Sequence, residues 1–492
     1  MGGGAGERFC DYRGVSVAWL ADFAKRVRSG EEAPGVELVL FKEAHGKGWA
    51  GSTARVVGRR DGDQLLVEIP YVGQQTVPAD NVASKPREAW ETEDVCEYVV
   101  KQHTEMMRNK LFYIDVMAPA NVGAEFQGAF VSQARRTRFQ QLVAAVVAHY
   151  ERAGADLAGA FVWLDIFGAN QPLLCDPHAG KEVQAARNKV LGSGLHEALS
   201  RFDDMLAFFD SWRTPAPLTR AWCVWEFYGA ARFRKDGGKV PLQVVFEPAE
   251  RERFIEDGLI GDFESIQLAF ANMRVKDARC YDAEDKVMID RQIEQNVPGR
   301  HTTLDAMVTE QLHAWLAKTA LEEVQERSAA RQIDTNWEAF AGLLGNTGSL
   351  LLDEGALDKA LETFEQALEI KKANLGPRDA SVAGTLNNIA MVSEDQGKLD
   401  KALETYEQAL EITKANLDPL HTTVGERLNN IALVFKAQGK LDKALETYEQ
   451  ALPIFEAHEH LRDYAEEVRA AMASLKRRRG GLMKIFCGVL CR

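Results

Sequence analysis

One block of fourteen residues occurs three times near the C-terminal end of the chain, at a constant spacing. The copies are LDKALETFEQALEI at 357–370, LDKALETYEQALEI at 399–412 and LDKALETYEQALPI at 441–454, so the step is 42 residues. A fixed period of this size is typical of stacked supersecondary units, because one unit is too small to bury its own apolar face. The repeat therefore predicts an array whose copies pack on one another and present a binding surface.

A second amphipathic segment precedes each block and ends in a glycine, at Gly355, Gly397 or Gly439. Small residues recur where two helices would have to approach closely, at positions 348, 390 and 432 and at positions 360, 402 and 444. This pattern resembles the tetratricopeptide repeat, and LNNIA…QGKLDKALETYEQALEI is similar to kinesin light chains across residues 344–453. The resemblance implies an all-α tetratricopeptide solenoid over residues 336–475.

In repeats of this class the first helix of each copy lines a concave surface, and here that helix carries asparagines. An asparagine amide both donates and accepts, so it can hydrogen-bond the main chain of an extended peptide. The resemblance to kinesin light chains implies that the peptide-binding residues are Asn346, Asn387, Asn388, Asn429 and Asn430. The alternative is that one asparagine of each pair stabilises the turn between the two helices. The residues that would set sequence preference along the groove are Met391, Glu394, Leu433 and Lys436.

The composition argues against several classes of function. A chain of 492 residues is too long for one core and predicts several domains. Its net charge of −14 argues against general nucleic-acid binding. The seven cysteines form no CxxC pair and no HExxH arrangement occurs, which predicts reduced thiols, no metal site and no cofactor. The sequence shows no apolar run long enough to cross a membrane and no secretory signal, so we expect a cytoplasmic protein.

The N-terminal part of the chain changes its periodicity near residue 36. Residues 1–30 include VSVAWLADFAKRV, which has the apolar spacing of a helix. Residues 36–84 contain short β-rich runs, and the Asp61-Gly62 pair between two of them is a strong hairpin signal. These runs predict a small Src-homology-3-like β-barrel that binds or packs rather than catalyses. Its aromatic residues Trp49 and Tyr71 either line a peptide groove or belong to the core.

Strand-like and helix-like segments alternate between residues 129 and 247, inside a predicted domain over residues 90–321. This alternation predicts βαβ units and a parallel, flavodoxin-like sheet with helices on both faces. In such sheets ligands bind at the carboxyl ends of the strands. The predicted strands end at Ser132-Gln133, Asp165-Ile166 and Ser211-Trp212.

Three short blocks resemble the Toll/interleukin-receptor (TIR) domain. They are SQARRTRF from residue 132, WLD ending at residue 165 and WCVWE ending at residue 226. In enzymatic TIR domains the glutamate of the last block serves NAD hydrolysis, so the resemblance implies that Glu226 is catalytic. A carboxylate there would stabilise the oxocarbenium character that develops when nicotinamide leaves the ribose. The nucleotide-binding residues implied in the same way are Ser132, Arg135, Asp165 and Trp222.

The chain departs from TIR domains after Asp165. Residues 168–192 form a longer insertion that contains Cys175, Asp176 and His178. The block VWLDIFGANQ is also similar to fungal heterokaryon-incompatibility domains, which are thought to be related to TIR domains. An alternative interpretation makes Glu226 a solvated carboxylate on a helix whose tryptophans and cysteine belong to the core.

The last residues, 476–492, are basic and carry Cys487 and Cys491 beside apolar residues. They form either a disordered tail or a contact with a membrane surface, which acylation of a thiol would strengthen.

Taken together, these patterns predict an adaptor or scaffold that binds partner proteins or peptides through the concave face of its repeats and carries a TIR-like signalling domain. The alternative is an NAD hydrolase that the array regulates, with NAD as a substrate and no bound cofactor. The chain shows no heptad segment of the kind that joins a kinesin light chain to its motor, which argues against a motor subunit.

Overall fold

The computed structural model describes residues 10–42, 52–60, 63–69, 72–101, 114, 117–169, 194–232, 240–280, 283–330 and 336–490, with side chains up to residue 477. The chain divides into two compact units. Unit 1 consists of Met1–Gly258 and Glu264–Trp315, and unit 2 consists of Leu259–Phe263 and Leu316–Arg492. None of the helices in the described part of the chain combines the length and the apolar character that crossing a bilayer requires.

A six-stranded mixed sheet forms the centre of unit 1 within the described residues. Its strands are β1 (Arg13–Ser16), β7 (Val122–Glu125), β8 (Ala129–Ser132), β9 (Phe161–Trp163), β10 (Asp204–Phe208) and β11 (Leu242–Val245). The order across the sheet is β11-β10-β8-β9-β1-β7. Strands β8 to β11 are parallel, whereas β1 runs antiparallel to both β9 and β7. The predicted parallel sheet is therefore correct for four strands, and two antiparallel strands extend it at one edge.

Unit 1 also contains helices, and the first four of them pack on this sheet through apolar side chains. They are α1 (Val17–Ser29), α2 (Thr92–Val95), α3 (Phe139–Arg152), α4 (Asp165–Gly168), α5 (Leu195–Leu199), α6 (Ala221–Arg232), α7 (Pro248–Arg253), a π-helix (Phe254–Gly261), α8 (Phe263–Ala271), α9 (Ala283–Asn296) and α10 (Arg300–Ala329), the last of which continues into unit 2. The rings of Phe23 on α1 and Phe167 on α4 meet edge to face, with centroids 5.3 Å apart. The N-terminal helix is thus part of the core around the sheet.

Helix α1 begins two residues later than its apolar spacing predicts. Residues 13–16 extend as strand β1, and the Ser16 hydroxyl oxygen then caps the helix by accepting a hydrogen bond from the Trp19 N–H at 3.3 Å. A strand of four residues is too short to show a clear alternation, which is why the sequence pattern does not reveal β1.

A second, antiparallel sheet occupies the region of the predicted barrel. Its strands are β2 (Leu38–Phe41), β3 (Thr53–Arg60), β4 (Gln64–Ile69), β5 (Gly73–Pro78) and β6 (Val82–Lys85), in the order β5-β4-β3-β2-β6. The β-rich runs of residues 36–84 thus form strands of one sheet, and the closure of this sheet into a barrel stays a prediction. Trp49 and Tyr71 lie outside the described residues.

Pairs of antiparallel helices form the repeat region of unit 2. They are α11 (Trp337–Asp353) and α12 (Leu357–Leu375), α13 (Ala380–Asp395) and α14 (Leu399–Asn416), and α15 (Thr422–Ala437) and α16 (Leu441–Glu456). Gly355, Gly397 and Gly439 turn the chain within each pair at φ of +72°, +73° and +74°, a conformation that glycine adopts without strain. The alanines at 360, 402 and 444 are fully buried where paired helices meet. The repeat period therefore predicts this part of the fold correctly.

A long helix, α17 (Arg462–Leu490), follows the last repeat. Its N-terminal half packs on the end of the array through Ala465, Val468, Met472 and Leu475. The helix covers the apolar face that the last repeat would otherwise expose. The side chains of the basic tail beyond residue 477, including Cys487 and Cys491, lie outside the described part.

Candidate functional site

One face of the first helices of the repeats presents amides next to apolar side chains. Met391 on α13 is 39% exposed and Leu433 on α15 is 38% exposed, and the two positions are one repeat apart. Asn388 and Asn430 precede them by three residues, so each amide lies on the same helix face as its apolar neighbour. The two repeats thus offer the same pair of groups, one polar and one apolar.

The asparagine pair of the second repeat has one member that is buried. Asn387 is 6% exposed, and its Oδ1 accepts a hydrogen bond of 3.1 Å from Asn430 Nδ2. Its own Nδ2 lies 3.4 Å from Asn388 Oδ1 and 3.4 Å from Met391 Sδ. Asn387 therefore joins the first helices of two successive repeats. This contact also sets the orientation of the Asn430 amide, while Asn388 and Asn429 are partly exposed.

Asn346 of the first repeat has a different partner. Its Nδ2 donates to the main-chain carbonyl of Leu259 at 2.8 Å. Asn346 stands one repeat before Asn388 and occupies the equivalent position in the first repeat. Unlike the amide of Asn388, the amide of Asn346 therefore binds a main-chain carbonyl of this chain.

Glu394 and Lys436 occupy equivalent positions in successive repeats and differ in their environment. Glu394 is partly buried and accepts a hydrogen bond of 3.2 Å from the Tyr406 hydroxyl. Burial raises the pKa of Glu394, which that hydrogen bond counteracts. Lys436 is exposed. Of these two side chains, Lys436 is the one more readily available to a ligand.

A second group of polar side chains lies at the carboxyl ends of β8 and β9 in unit 1. The hydroxyl of Ser132 donates to the carboxyl of Glu226 on α6. Burial raises the pKa of Glu226 to about 8, and Asp165 adds to the effect, while Ser132 and Arg135 oppose it. The carboxyl of Glu226 is therefore mostly protonated at neutral pH.

An ion pair lies beside this carboxyl. Arg135 donates to Asp165 Oδ2 from Nε at 3.1 Å and from Nη2 at 2.9 Å. Gln133 Nε2 lies 3.5 Å from Asp165 Oδ1, and the buried Oε1 of Gln133 has no partner in the described part of the chain. The sequence pattern assigns no role to Gln133, although this residue directly follows Ser132 at the end of the predicted strand.

The remaining predicted residues of this site are distributed differently. The indole N–H of Trp222 donates to Asp285 Oδ2 on α9 at 3.0 Å. Trp222 therefore hydrogen-bonds a residue that is not part of the cluster of polar side chains around Ser132. Cys223 is buried, and burial raises the pKa of its thiol. Four predicted residues therefore meet, namely Ser132, Arg135, Asp165 and Glu226.

No group of three or more potential metal ligands occurs among the residues that the structure describes. The predicted insertion with Cys175, Asp176 and His178 lies outside that part of the chain.

Family models described as tetratricopeptide repeat match residues 341–374 and 381–457. The C-terminal region therefore consists of tetratricopeptide repeats, which generally mediate protein–protein interaction. The matched models lie within the array and lend no support to the TIR-like or heterokaryon-incompatibility-like resemblance upstream. Among curated proteins, no sequence matches this chain.

Several solved structures are similar to part of this chain. BtubC (BKLC) from P. vanneervenii is 24% identical, with 36% of this chain and 75% of that chain covered at a TM-score of 0.29. A putative kinesin light chain of Podosopora anserina with nearly identical TPR-like repeats is 17% identical, with 36% and 86% covered at a TM-score of 0.31. The Sgt2 TPR domain from Aspergillus fumigatus is 20% identical, with 28% and 82% covered at a TM-score of 0.21.

Proposed function

We propose that this protein is an adaptor that binds an extended peptide of a partner protein along the first helices of its repeats. The observation that carries the proposal is the pairing of an amide with an exposed apolar side chain in two successive repeats, at Asn388 with Met391 and at Asn430 with Leu433. Amides would hydrogen-bond the main chain of the peptide, and the apolar groups would contact its side chains.

The Asn387–Asn430 hydrogen bond supports this proposal because it holds one amide in place before a ligand arrives. A side chain that is already ordered loses less conformational entropy on binding, and affinity rises accordingly. Asn430 uses one of its N–H groups for Asn387, which leaves its second N–H and its carbonyl oxygen for a peptide. The amide of Asn388 is partly exposed and faces the same way along its helix as Met391.

Replacing Asn388 and Asn430 together by alanine is expected to weaken peptide binding at least about fivefold. Each lost hydrogen bond removes about 0.5–1.5 kcal/mol, and two such losses correspond to roughly a factor of five to one hundred and fifty. The probe is a displayed library of random twelve-residue peptides selected on the full-length protein. Fluorescence anisotropy of the selected peptides then gives the affinity of each variant.

The matched control is Asn374→Ala with Asn416→Ala. These asparagines are also one repeat apart, but they lie exposed at the C-terminal ends of α12 and α14, where Asn374 donates to Ile370 O at 2.8 Å. The control should bind the selected peptides like the wild type. Equal binding by the wild type and the Asn388/Asn430 variant would contradict the proposal.

We further propose that the remaining modules follow the predicted division, with the sheet of residues 36–84 as a packing module and residues 90–321 as a TIR-like domain with a signalling role. The order of the parallel strands supports the TIR-like interpretation of residues 90–321. Numbered along the chain, they lie in the order 4-3-1-2, which read from the other edge is the doubly wound 2-1-3-4 order. In this class a ligand crevice opens where the order reverses, and β8 ends there at Ser132.

A second candidate function is NAD hydrolysis at the polar group around Ser132. The observation that favours it is the contact between Ser132 and Glu226 at that crevice. Glu226, held partly buried and largely protonated, would stabilise positive charge on the ribose once ionised, and Asp165 would contribute to the same field. Arg135 is paired with Asp165, so binding of a phosphate by Arg135 would require that ion pair to loosen.

The test of the second candidate is incubation of the full-length protein with NAD, followed by measurement of nicotinamide release. Turnover that Glu226→Gln lowers at least a hundredfold, and that the exposed control Glu197→Gln leaves unchanged, is the result expected of an NAD hydrolase. Lack of turnover, or turnover indifferent to Glu226, excludes this function and leaves the adaptor proposal untouched.

We also propose that the basic tail over residues 476–492 contacts a membrane surface. Cytoplasmic localisation stays a prediction. Clustered basic residues beside apolar ones attract anionic lipid headgroups.

A further inference from the structure

Five residues from the middle of the chain belong with the repeats rather than with their sequence neighbours. The segment Leu259–Phe263, here called the cis segment, is part of unit 2, whereas the residues up to Gly258 and from Glu264 are part of unit 1. Leu259 is completely buried, and its carbonyl oxygen accepts the hydrogen bond of 2.8 Å from Asn346 Nδ2. A short stretch of main chain thus contacts the first repeat.

The position of this contact within the repeat is informative. Asn346, Asn388 and Asn430 are spaced by 42 residues and form one row along the first helices. At Asn346 the amide holds a main-chain carbonyl of the cis segment. This is the contact that a peptide ligand is proposed to make with Asn388 and Asn430.

The local structure of the cis segment explains why its carbonyl is available. Leu259 is third from the end of the π-helix Phe254–Gly261. The last carbonyl groups of a helix lack partners within the helix and must find them elsewhere. π-helical turns are rare and are frequently found at functional sites. The Leu259 carbonyl finds its partner in Asn346 of the array, as the main-chain carbonyl of an extended peptide would.

We infer that the cis segment is a built-in ligand of the array, which occupies the first position of the asparagine row and leaves the second and third positions to a partner. This inference rests on the proposed adaptor function. A partner peptide long enough to reach Asn346 must displace the cis segment, so its measured affinity is reduced by the stability of that contact. The occupant is a segment of this chain, and the competitor is an extended peptide that offers a main-chain carbonyl.

The first test needs no partner. In full-length protein without peptide, Asn346→Ala removes the hydrogen bond that holds the cis segment. Amide hydrogen exchange over residues 256–266 should become at least threefold faster than in the wild type, because a lost hydrogen bond of about 1 kcal/mol raises the open population by roughly that factor or more. Asn374→Ala is the control and should leave exchange there unchanged. Unchanged exchange in Asn346→Ala would overturn the inference, even if the array binds peptides.

The second test measures competition. Leu259→Ala shortens a fully buried side chain of the cis segment, whereas Ile255→Ala shortens a buried side chain of the same helix that lies in unit 1. Twenty-residue peptides selected from a displayed library on the full-length Leu259→Ala variant should bind that variant at least threefold more tightly than they bind the wild type or Ile255→Ala. Equal or weaker binding by Leu259→Ala would overturn the inference. Failure of the adaptor proposal itself would appear separately, as binding that Asn388 and Asn430 do not affect.

Discussion

Replacing Glu226 by glutamine is expected to stabilise unit 1 by about 4 kcal/mol at pH 8 and by less than about 1 kcal/mol at pH 5. Burial raises the pKa of this carboxyl to about 8 in the folded protein, against an ordinary value of 4.5. Between these two values the unfolded chain has lost the proton while the folded chain keeps it. The unfolded state therefore binds fewer protons, and the stability of the wild type falls as pH rises through this window.

Glutamine accepts the Ser132 hydroxyl as the protonated acid does, and it carries no charge to ionise. The variant should consequently lose the pH dependence rather than the fold. Urea unfolding at pH 5 and pH 8, followed by tryptophan fluorescence, measures the difference. Eight of the nine tryptophans precede residue 316, so the signal reports mainly on unit 1. Glu197→Gln is the exposed control, and a glutamine variant less stable than the wild type at pH 8 would contradict this account of the site.

Replacing Lys85 by methionine is expected to destabilise unit 1 by about 3–5 kcal/mol. Lys85 ends strand β6, and its Nζ lies 2.7 Å from Asp94 Oδ2 and 2.9 Å from Thr53 Oγ1. The side chains of Lys85 and Asp94 are only 3% and 5% exposed. Methionine fills nearly the same volume but leaves the carboxylate of Asp94 buried without its counter-charge, which is the costly state of a broken buried ion pair.

The matched second variant combines Lys85→Met with Asp94→Asn. Asparagine removes the buried charge and keeps an acceptor for the Glu91 main-chain N–H, which Asp94 now binds at 2.8 Å. The double variant should therefore regain more than half of the lost stability in urea unfolding. A loss below about 1 kcal/mol in Lys85→Met would show that this ion pair contributes little.

Local patterns in the sequence predict the helices and strands that are determined by residues close to one another in the sequence. The repeat period located the helices of the array, because each helix is defined by its own apolar spacing and by a glycine at its end. The parallel strands β8 to β11 are apolar runs between helices and were likewise predictable. The sequence pattern does not reveal strands β1 (RGVS) and β7 (VGAE), because neither is an apolar run and each owes its pairing to partners distant in sequence.

The sequence indicates which residues belong to the candidate sites, but it indicates few of their hydrogen-bond partners. Strand ends meet at one edge of a parallel sheet, so Ser132 and Asp165 could be expected near each other. Whether Trp222 joins them depends on helix α9, more than sixty residues later, whose Asp285 accepts its indole N–H. The engagement of Asn346 by Leu259 spans 87 residues and carries no local signal. Asn387 and Asn388 are chemically identical in the sequence, and packing alone distinguishes the buried member from the partly exposed one.

The most direct test of the adaptor account is to locate a bound peptide on the array. A photo-crosslinking amino acid is placed in the full chain at position 391 or 433 on the first helices, or at the exposed positions 401 or 443 on the second helices. Peptides selected on the wild type are added, and mass spectrometry identifies the crosslinked products. The account predicts crosslinks from positions 391 and 433 and none from 401 and 443. Crosslinks confined to 401 and 443 would contradict it.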